Sequence, residues 1–333
     1  MKYVELKSEL KNKIESAYLI SGDDRFLCFD ALQKIEEAAG INIKDMNSVT
    51  LSGENVSARE IVDSANIYPF GDEHRLIVVK GFSASKNKEE QAIIKNYLAS
   101  PLSSTILVFF NPDGAEFFKG MSHITPVDCN KLEPKWVNLY IKNYLSKKQI
   151  SADDDAISTL ALYSLYDMTK VSSELEKLSA YVCETKVLTK QIVENFVVQE
   201  REFQIYELAE FLAKGDGENA FKLIDSFSVK PGSAFVIISP LYNNYRRALY
   251  VSINTNKSSA ELASLLGVKE FAIKMLSNQV KNFSPKKLKT IVDLIAKYDK
   301  KIKVGEIKEN VAIKLIATSI LNIRGKNVWN LLL

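Results

Sequence analysis

The first residues that could do chemistry follow the first predicted strand, where α/β proteins often hold the phosphates of a nucleotide. Ser21-Gly22-Asp23-Asp24-Arg25 stand at this place. A phosphate loop of the form GxxxxGK[ST] needs glycines, a lysine and a hydroxyl, whereas this stretch has one glycine and two carboxylates that would repel phosphates. Phe109-Phe110-Asn111-Pro112, at the end of the fourth predicted strand, offers no acidic pair for magnesium. The sequence therefore predicts that no phosphate binds here, and that Asp24 caps the following helix instead.

The sequence lacks the residues that a metal site or a catalytic nucleophile needs. The chain has two histidines, His74 and His123, and three widely separated cysteines, Cys28, Cys129 and Cys183. The sequence contains no HExxH, CxxC or GxSxG motif, so neither a zinc site nor a nucleophile elbow is expected. We predict no catalytic residue, no metal and no cofactor, and we interpret each cysteine as a small apolar core residue.

Two other patterns imitate functional motifs. Gly215-Asp216-Gly217-Glu218-Asn219-Ala220 fits G-x-G-x-x-A, but a dinucleotide site needs a strand before it, and a helix is predicted there. Asp153-Asp154-Asp155 resembles a metal cluster in composition alone. Ser151 is predicted to be the N-cap of a helix whose first turn holds these acids, because carboxylates interact favourably with a helix N-terminus. We interpret the two patterns as an inter-helix turn and a solvated helix start.

Length and composition set the broad class. The chain has 333 residues, 46% of them apolar, with 44 Lys and Arg against 41 Asp and Glu. This length predicts two or three domains, and the small net charge confines any nucleic-acid contact to local clusters. The apolar run Ile106–Phe110 is far shorter than the roughly 20 residues of a membrane-spanning helix, and the N-terminal residues lack the apolar core of a signal peptide. We expect no membrane contact and a cytoplasmic location, which suits the unpaired cysteines.

The first third of the chain alternates predicted strands with predicted helices. Runs rich in Val, Ile, Leu and Phe predict strands at residues 17–20, 48–51, 75–79, 105–110 and 124–129. Between them, apolar residues at helical spacing predict helices at 25–39, 57–67 and 88–98. Strands that alternate with helices indicate a parallel sheet covered on both faces.

The strands are predicted to stop near Lys131, and helices follow to the end of the chain. Ser284 before Pro285 has the pattern of an N-cap and a first helical residue. The expected fold class is α/β plus all-α. We predict an α/β domain at residues 1–130, a small helical domain at 131–202 and a second helical domain at 203–333.

Five stretches carry a resemblance to a known family. They are Tyr18–Leu27 (YLISGDDRFL), Tyr68–Val79 (YPFGDEHRLIVV), Ser173–Tyr181 (SELEKLSAY), Leu266–Ile273 (LGVKEFAI) and Tyr298–Gly305 (YDKKIKVG). Each is short, but their shared order and spacing are specific. Over nearly its full length the chain resembles the delta subunit family of the bacterial DNA polymerase III clamp loader.

The resemblance implies an AAA+-like architecture. Residues 1–130 would form the clamp-binding domain without a phosphate loop, 131–202 a lid-type helical domain, and 203–333 a collar that joins the other loader subunits. It also implies a non-catalytic component of the DNA polymerase III holoenzyme that binds the ring-shaped sliding clamp and favours its open form during DNA replication. The expected partners are the sliding clamp and the other clamp-loader subunits, with no intrinsic enzymatic activity.

Tyr68, Pro69 and Phe70 form the candidate site. Pro69 fixes its own φ and disfavours helical backbone at Tyr68, so these residues are expected on a rigid turn whose aromatics suit a partner's apolar pocket. The resemblance places the family's clamp-binding hydrophobic plug here, and Phe70 matches its phenylalanine. Some members carry leucine where Pro69 stands, so whether Tyr68 or Pro69 is the second anchor stays open. From the residues alone, the favoured interpretation is that Phe70 covers the sheet edge, and the resemblance makes clamp binding the preferred one.

Basic residues in the last third leave a DNA contact open. They are Lys286, Lys287 and Lys289 near the start of one predicted helix, Lys297, Lys300, Lys301 and Lys303 near its end, and Arg246 and Arg247 after Tyr242 and Tyr245. We interpret them as solvated helix faces or as contacts between subunits. A DNA backbone contact within the complex stays open, because Lys and Arg neutralise phosphates without reading bases.

Two other functions stay open as well. A AAA+-derived nucleotide-binding enzyme with a degenerate phosphate loop would bind ATP saturably as an isolated chain. A helical DNA-binding protein would bind DNA with a strong dependence on salt.

Overall fold

A computed structural model describes residues 1–82, 88–114, 116–199, 201–227, 233–268 and 270–325. The chain divides into two compact units, and each is described by itself. The first unit comprises Met1–Ala161 with Tyr166–Lys190, and the second comprises Leu162–Leu165 with Gln191–Leu333. Lys269 and the end of the predicted third domain, 326–333, lie outside the described residues. The division into domains at 1–130, 131–202 and 203–333 stays a prediction.

A five-stranded parallel sheet organises the first unit. Its strands are β1 (Ala17–Ser21), β2 (Ser48–Ser52), β3 (Arg75–Lys80), β4 (Thr105–Phe110) and β5 (Thr125–Asp128), in the order β2-β3-β4-β1-β5. The inner strands β1, β3 and β4 are almost entirely buried, whereas the edge strands β2 and β5 are partly exposed. The predicted parallel sheet is confirmed, and burial on both faces holds for its inner strands.

Helices surround this sheet. They are α1 (Tyr3–Asn12), α2 (Arg25–Ala39), the one-turn α3 (Lys44–Asn47), α4 (Ala58–Ala65) and α5 (Lys88–Ala99). One face of the sheet presents alternate residues, among them Ile77 and Phe109, to a core shared with α4 and α5. Local sequence sets the helix ends: Ser57 and Glu60 form a reciprocal capping box at the start of α4. A 3₁₀ turn at Glu116–Phe118 precedes β5.

The rest of the first unit corrects two predictions. It contains α6 (Pro134–Lys147), most of α7 (Asp154–Tyr163), α8 (Met168–Tyr181) and two short parallel strands, β6 (Ser151–Ala152) and β7 (Val187–Leu188). Strands therefore do not stop near Lys131. The prediction of Ser151 as an N-cap is wrong, because Ser151 belongs to β6 and its N–H donates to the Lys186 carbonyl. The Asp153 carboxylate accepts from the Ala156 N–H at 2.5 Å and performs the capping role instead.

The second unit is helical in its described part. Its helices are α9 (Lys190–Phe196), α10 (Arg201–Lys214), α11 (Gly217–Phe227), α12 (Ser233–Ile253), α13 (Ser259–Leu266), α14 (Glu270–Val280), α15 (Pro285–Lys303) and α16 (Glu309–Gly325). Helices α10 to α16 share one apolar core. The predicted Ser284 cap is confirmed by its bond from the Lys287 N–H. Gly215 and Asp216 form the predicted turn between α10 and α11, whereas residues 217–220 already belong to α11.

Other expectations concern membrane spans, metal clusters and cysteines. Within the described residues, no helix has the length and apolarity to cross a membrane. Nor do the described His, Cys, Asp and Glu residues form a group of three or more that could hold a metal ion. Cys28 and Cys129 are buried as predicted, but Cys183 is exposed, so the prediction of a core cysteine is wrong there.

Candidate functional site

The candidate residues lie on the turn between α4 and β3. Tyr68 is 72% exposed and Phe70 65% exposed, while Pro69 is half-buried between them. Two large apolar side chains thus point into solvent from one short turn, where burial would normally be expected. A phenylalanine exposed to this extent does not cover the edge of the sheet, so the geometry disagrees with that alternative.

The backbone of Phe70 is held by one buried side chain. Asn47, the last residue of α3, is fully buried. Its Oδ1 accepts from the Phe70 N–H, and its Nδ2 donates to the Phe70 carbonyl, both at 2.8 Å. Both backbone groups of Phe70 are therefore paired, and its ring projects from a fixed peptide.

Asp72 ties the same turn to the segment before α3. Its carboxylate accepts from the N–H groups of Asn42 and Ile43 and from the side-chain amides of Asn42 and Asn47. These bonds, from the Ile43 N–H first and then from Asn47, lower the pKa of Asp72 below its usual value, because they stabilise the charged carboxylate. Asp72 therefore remains an ionised acceptor at neutral pH.

One further contact and three more exposed apolar side chains complete this part of the molecule. The buried guanidinium of Arg75, the first residue of β3, donates to the Met46 carbonyl. Ile43 and Met46 are themselves exposed large apolar side chains, as is Ile67 before Tyr68. The turn and the α3 segment thus expose apolar side chains to solvent, while hydrogen bonds of Asn47, Asp72 and Arg75 hold their backbones.

Sequence reasoning missed Asn47 and Asp72. In the structure β2 and β3 are adjacent parallel strands, and Asn47 immediately precedes the first while Asp72 lies just before the second. Parallel pairing places the segments that precede two adjacent strands side by side. The partner of each strand was not assigned from the sequence, so the contact could not be derived.

The stretch predicted to lack a phosphate loop is closed by the chain itself. Gly22 packs so tightly that a Cβ would lie 2.2 Å from the Cys129 carbonyl carbon. The Asp23 N–H donates to Asn130 Oδ1 at 3.1 Å, and the Asp23 carboxylate accepts from the Lys131 N–H at 2.9 Å. The segment after β5 thus occupies the mouth of this turn.

The neighbouring residues of this closed turn are also paired. Asp24 accepts from the Leu27 N–H at 3.1 Å, which confirms its predicted capping role. Arg25 binds both carboxylate oxygens of Asp113, at 2.5 and 2.6 Å. The Arg25 guanidinium is therefore already paired with a carboxylate of the same chain.

The basic residues of the second unit have local partners in several cases. Lys289 pairs with Asp293, Lys303 with Asp299, and Lys301 with Glu306. Lys287 donates to the Arg324 carbonyl at 3.0 Å. Tyr245 is buried in the core rather than beside the arginines on the surface. These contacts suit the interpretation as solvated helix faces, and the DNA contact stays a prediction.

Comparisons with known families match both units. The sequence model described as DNA polymerase III, delta subunit, matches residues 18–122. A second model, which describes the C-terminal domain of the same DNA polymerase III delta protein, matches residues 202–320. The chain belongs to the DNA polymerase III delta subunit family. The expected family is therefore confirmed, together with its place in the clamp loader and in DNA replication.

Individual relatives agree along nearly the whole length. DNA polymerase III subunit delta of Bacillus subtilis is 21% identical over 96% of this chain and 97% of its own. The probable delta subunit of Aquifex aeolicus is 23% identical over 86% of this chain and 85% of its own. The solved DNA clamp loader delta protein of B. subtilis covers 96% of this chain and 99% of its own, with 20% identity and a TM-score of 0.70. The last comparison confirms the fold.

Proposed function

We propose that this delta-family chain binds the sliding clamp through the turn at Tyr68–Phe70. The observation that carries the proposal is that Phe70 is 65% exposed while its backbone N–H and carbonyl are both hydrogen-bonded to the Asn47 side chain. Aromatic side chains that enter a partner's pocket commonly dominate the binding energy of an interface. A pre-fixed aromatic loses little conformational freedom on binding, which adds to its value as an anchor.

Binding energy also accounts for the proposed opening of the clamp. A protein that binds the open ring more tightly than the closed ring shifts the equilibrium by the difference between the two affinities. No covalent chemistry is required of the delta chain for this step. The closed turn at Gly22–Asp24 supports such a non-catalytic role, because backbone and side chains of residues 129–131 fill the place of a phosphate loop.

The second unit is the proposed region of contact with the other clamp-loader subunits. On α16, Val311 and Leu315 are exposed and lie four residues apart, so they share one face of the helix. This apolar face suits an interface with a neighbouring loader protein. A cytoplasmic location and the absence of intrinsic enzymatic activity stay predictions.

Phe70→Ala tests the proposed clamp contact. We expect the affinity of the full chain for the sliding clamp of the same organism to fall at least about thirtyfold, or ~2 kcal/mol, because an aromatic anchor is lost. The measurement is a binding titration by surface plasmon resonance or calorimetry. Phe29→Ala is the matched control, since Phe29 is 54% exposed but lies on α2.

Helical content and thermal unfolding should be unchanged by Phe70→Ala, because the removed ring is largely solvated. An affinity equal to that of the parent chain would contradict the proposal. So would an equal loss of affinity in the Phe29→Ala control.

A further inference from the structure

Asn47 lies behind the candidate turn rather than on its exposed face. Its Oδ1 accepts from the Phe70 N–H, while its Nδ2 donates to both the Phe70 carbonyl and Asp72 Oδ2, the latter at 2.7 Å. All the polar atoms of this buried side chain are thus occupied. The fully paired Asn47 amide holds the Phe70 backbone in one position, because any shift of Phe70 would leave buried polar atoms without partners.

Asp72 extends this arrangement to the backbone before α3. The Ile43 N–H donates to Asp72 Oδ2 at 2.9 Å, and the Asn42 side-chain amide donates to Oδ1 at 3.1 Å. The carboxylate therefore connects three points: the turn that carries it, the start of α3 and the side chain of Asn47. We call Asn47 and Asp72 together the bracket.

We propose that the bracket positions Phe70 for the clamp, so that Asn47 and Asp72 are positioning residues that do not themselves touch the partner. This inference rests on the proposed function of the turn. Asn47 is fully buried, and both carboxylate oxygens of Asp72 accept hydrogen bonds from the chain itself, from Asn42, Ile43 and Asn47. The bracket thus acts on the partner only through the turn.

The physical basis is the entropy of the turn. Gly71 follows Phe70 with φ +71°, a left-handed conformation that glycine adopts easily, so the sequence alone does not fix the path after Phe70. Pro69 restricts the path before it. Without the bracket the Phe70 side chain would sample several directions, and the clamp would have to order it on binding. Pre-organisation of this kind changes affinity by about tenfold.

The test compares two bracket variants with two matched controls in the full chain. Asn47→Ala removes the amide, and Asp72→Asn keeps the shape of the side chain while it removes the charge. Asn55→Ala and Asp63→Asn are the controls, because both residues are exposed in the same unit. Clamp affinity, thermal unfolding and amide hydrogen exchange of Phe70 are measured for each. If Asn47→Ala fails to fold, Asp72→Asn decides.

We expect both bracket variants to bind the sliding clamp about tenfold more weakly and to exchange the Phe70 amide faster, with both controls at parental values. Combined with Phe70→Ala, each bracket variant should weaken binding by less than about threefold further, because its effect passes through Phe70. A general loss of structure would instead multiply the two effects, and this result would overturn the inference.

The failure of this inference is distinguishable from that of the proposed function. If Phe70→Ala weakens binding and both bracket variants bind like the parent, the bracket inference is wrong and the clamp contact stands. If Phe70→Ala binds like the parent, the clamp contact itself is wrong and the inference falls with it.

Discussion

Two loops of the same sheet differ in their exposure to solvent. The turn after β1 lies at the carboxyl end of the strands, and residues 129–131 close it. The turn before β3 lies at the opposite, amino end and exposes Tyr68 and Phe70. In open α/β sheets, ligands commonly bind at the carboxyl ends of the strands. The delta-family chain closes the turn after β1 at that end with its own residues and presents its candidate surface at the other end.

The two loops use hydrogen bonds for opposite purposes. At the closed turn, the Asp23 carboxylate accepts from the Lys131 N–H and the Asp24 carboxylate accepts from the Leu27 N–H. These two backbone donors are therefore not available to a phosphate. At the exposed turn, Asn47 pairs both backbone groups of Phe70 and also donates to Asp72, so the Phe70 ring is exposed on a backbone that is already hydrogen-bonded. Pairing of polar groups thus closes the turn after β1 and fixes the backbone of Phe70 in the candidate turn.

The largest expected effect concerns the closed turn. Gly22→Ala should lower the free energy of unfolding by about 3 kcal/mol, because the new Cβ would overlap the Cys129 backbone and the backbone at Gly22 has φ +147°. Urea denaturation measures the change. The clamp affinity of the chain that remains folded should equal that of the parent. A loss below about 0.5 kcal/mol would show that the closure is loose.

A smaller effect would identify the second anchor at the exposed turn. Tyr68→Ala should weaken clamp binding by about 1 kcal/mol, or about fivefold, and Pro69→Ala by less, because Tyr68 is largely exposed and Pro69 is half-buried. The binding titration used for Phe70→Ala provides the measurement. A larger loss for Pro69→Ala would assign the second contact to the proline.

The smallest expected effect comes from Asp24→Asn. Burial raises the pKa of Asp24, and the hydrogen bond from the Leu27 N–H opposes this rise only in part. The folded state therefore disfavours the ionised form, so Asp24 contributes less to stability as pH rises through its raised pKa. Asparagine caps a helix as well as aspartate does.

At pH 7 we accordingly expect Asp24→Asn to leave the free energy of unfolding unchanged or to raise it by up to about 0.5 kcal/mol, a figure reduced for solvent screening. Urea titrations between about pH 3.5 and pH 7 check the sign. The advantage of the variant should shrink toward low pH, where aspartate is protonated in both states. A variant that is clearly less stable at pH 7 would contradict this account.

Much of the fold could be predicted because its strands and helices are strongly patterned. Helix α2 begins and ends where the periodicity predicts, and all five strands of the main sheet are confirmed. The two-residue strands β6 and β7 were missed, since so short a pair has no periodicity and depends on tertiary pairing. Ser151 was assigned as an N-cap because a serine before three aspartates has the pattern of a cap, and its pairing in β6 depends on the distant β7.

The exposed turn could be predicted in part. Pro69 and the flanking aromatics indicated a rigid, outward turn, and the structure exposes both rings. The assignment of Tyr68, Pro69 and Phe70 as clamp contacts stays a prediction. Asn47 could not be connected with Phe70 from the sequence, because 23 residues separate them and their contact depends on the pairing of β2 with β3.

The pairing of β2 with β3 has a mechanical consequence. Asn47 directly precedes β2, and the Phe70 turn leads into β3, so a load applied at Phe70 is divided between two neighbouring strands. Five residue pairs join these strands in register, from Ser48 with Leu76 to Ser52 with Lys80. A pull along the strands would shear several hydrogen bonds together instead of opening them one at a time. The sheet would then resist a force applied to Phe70 along the strands.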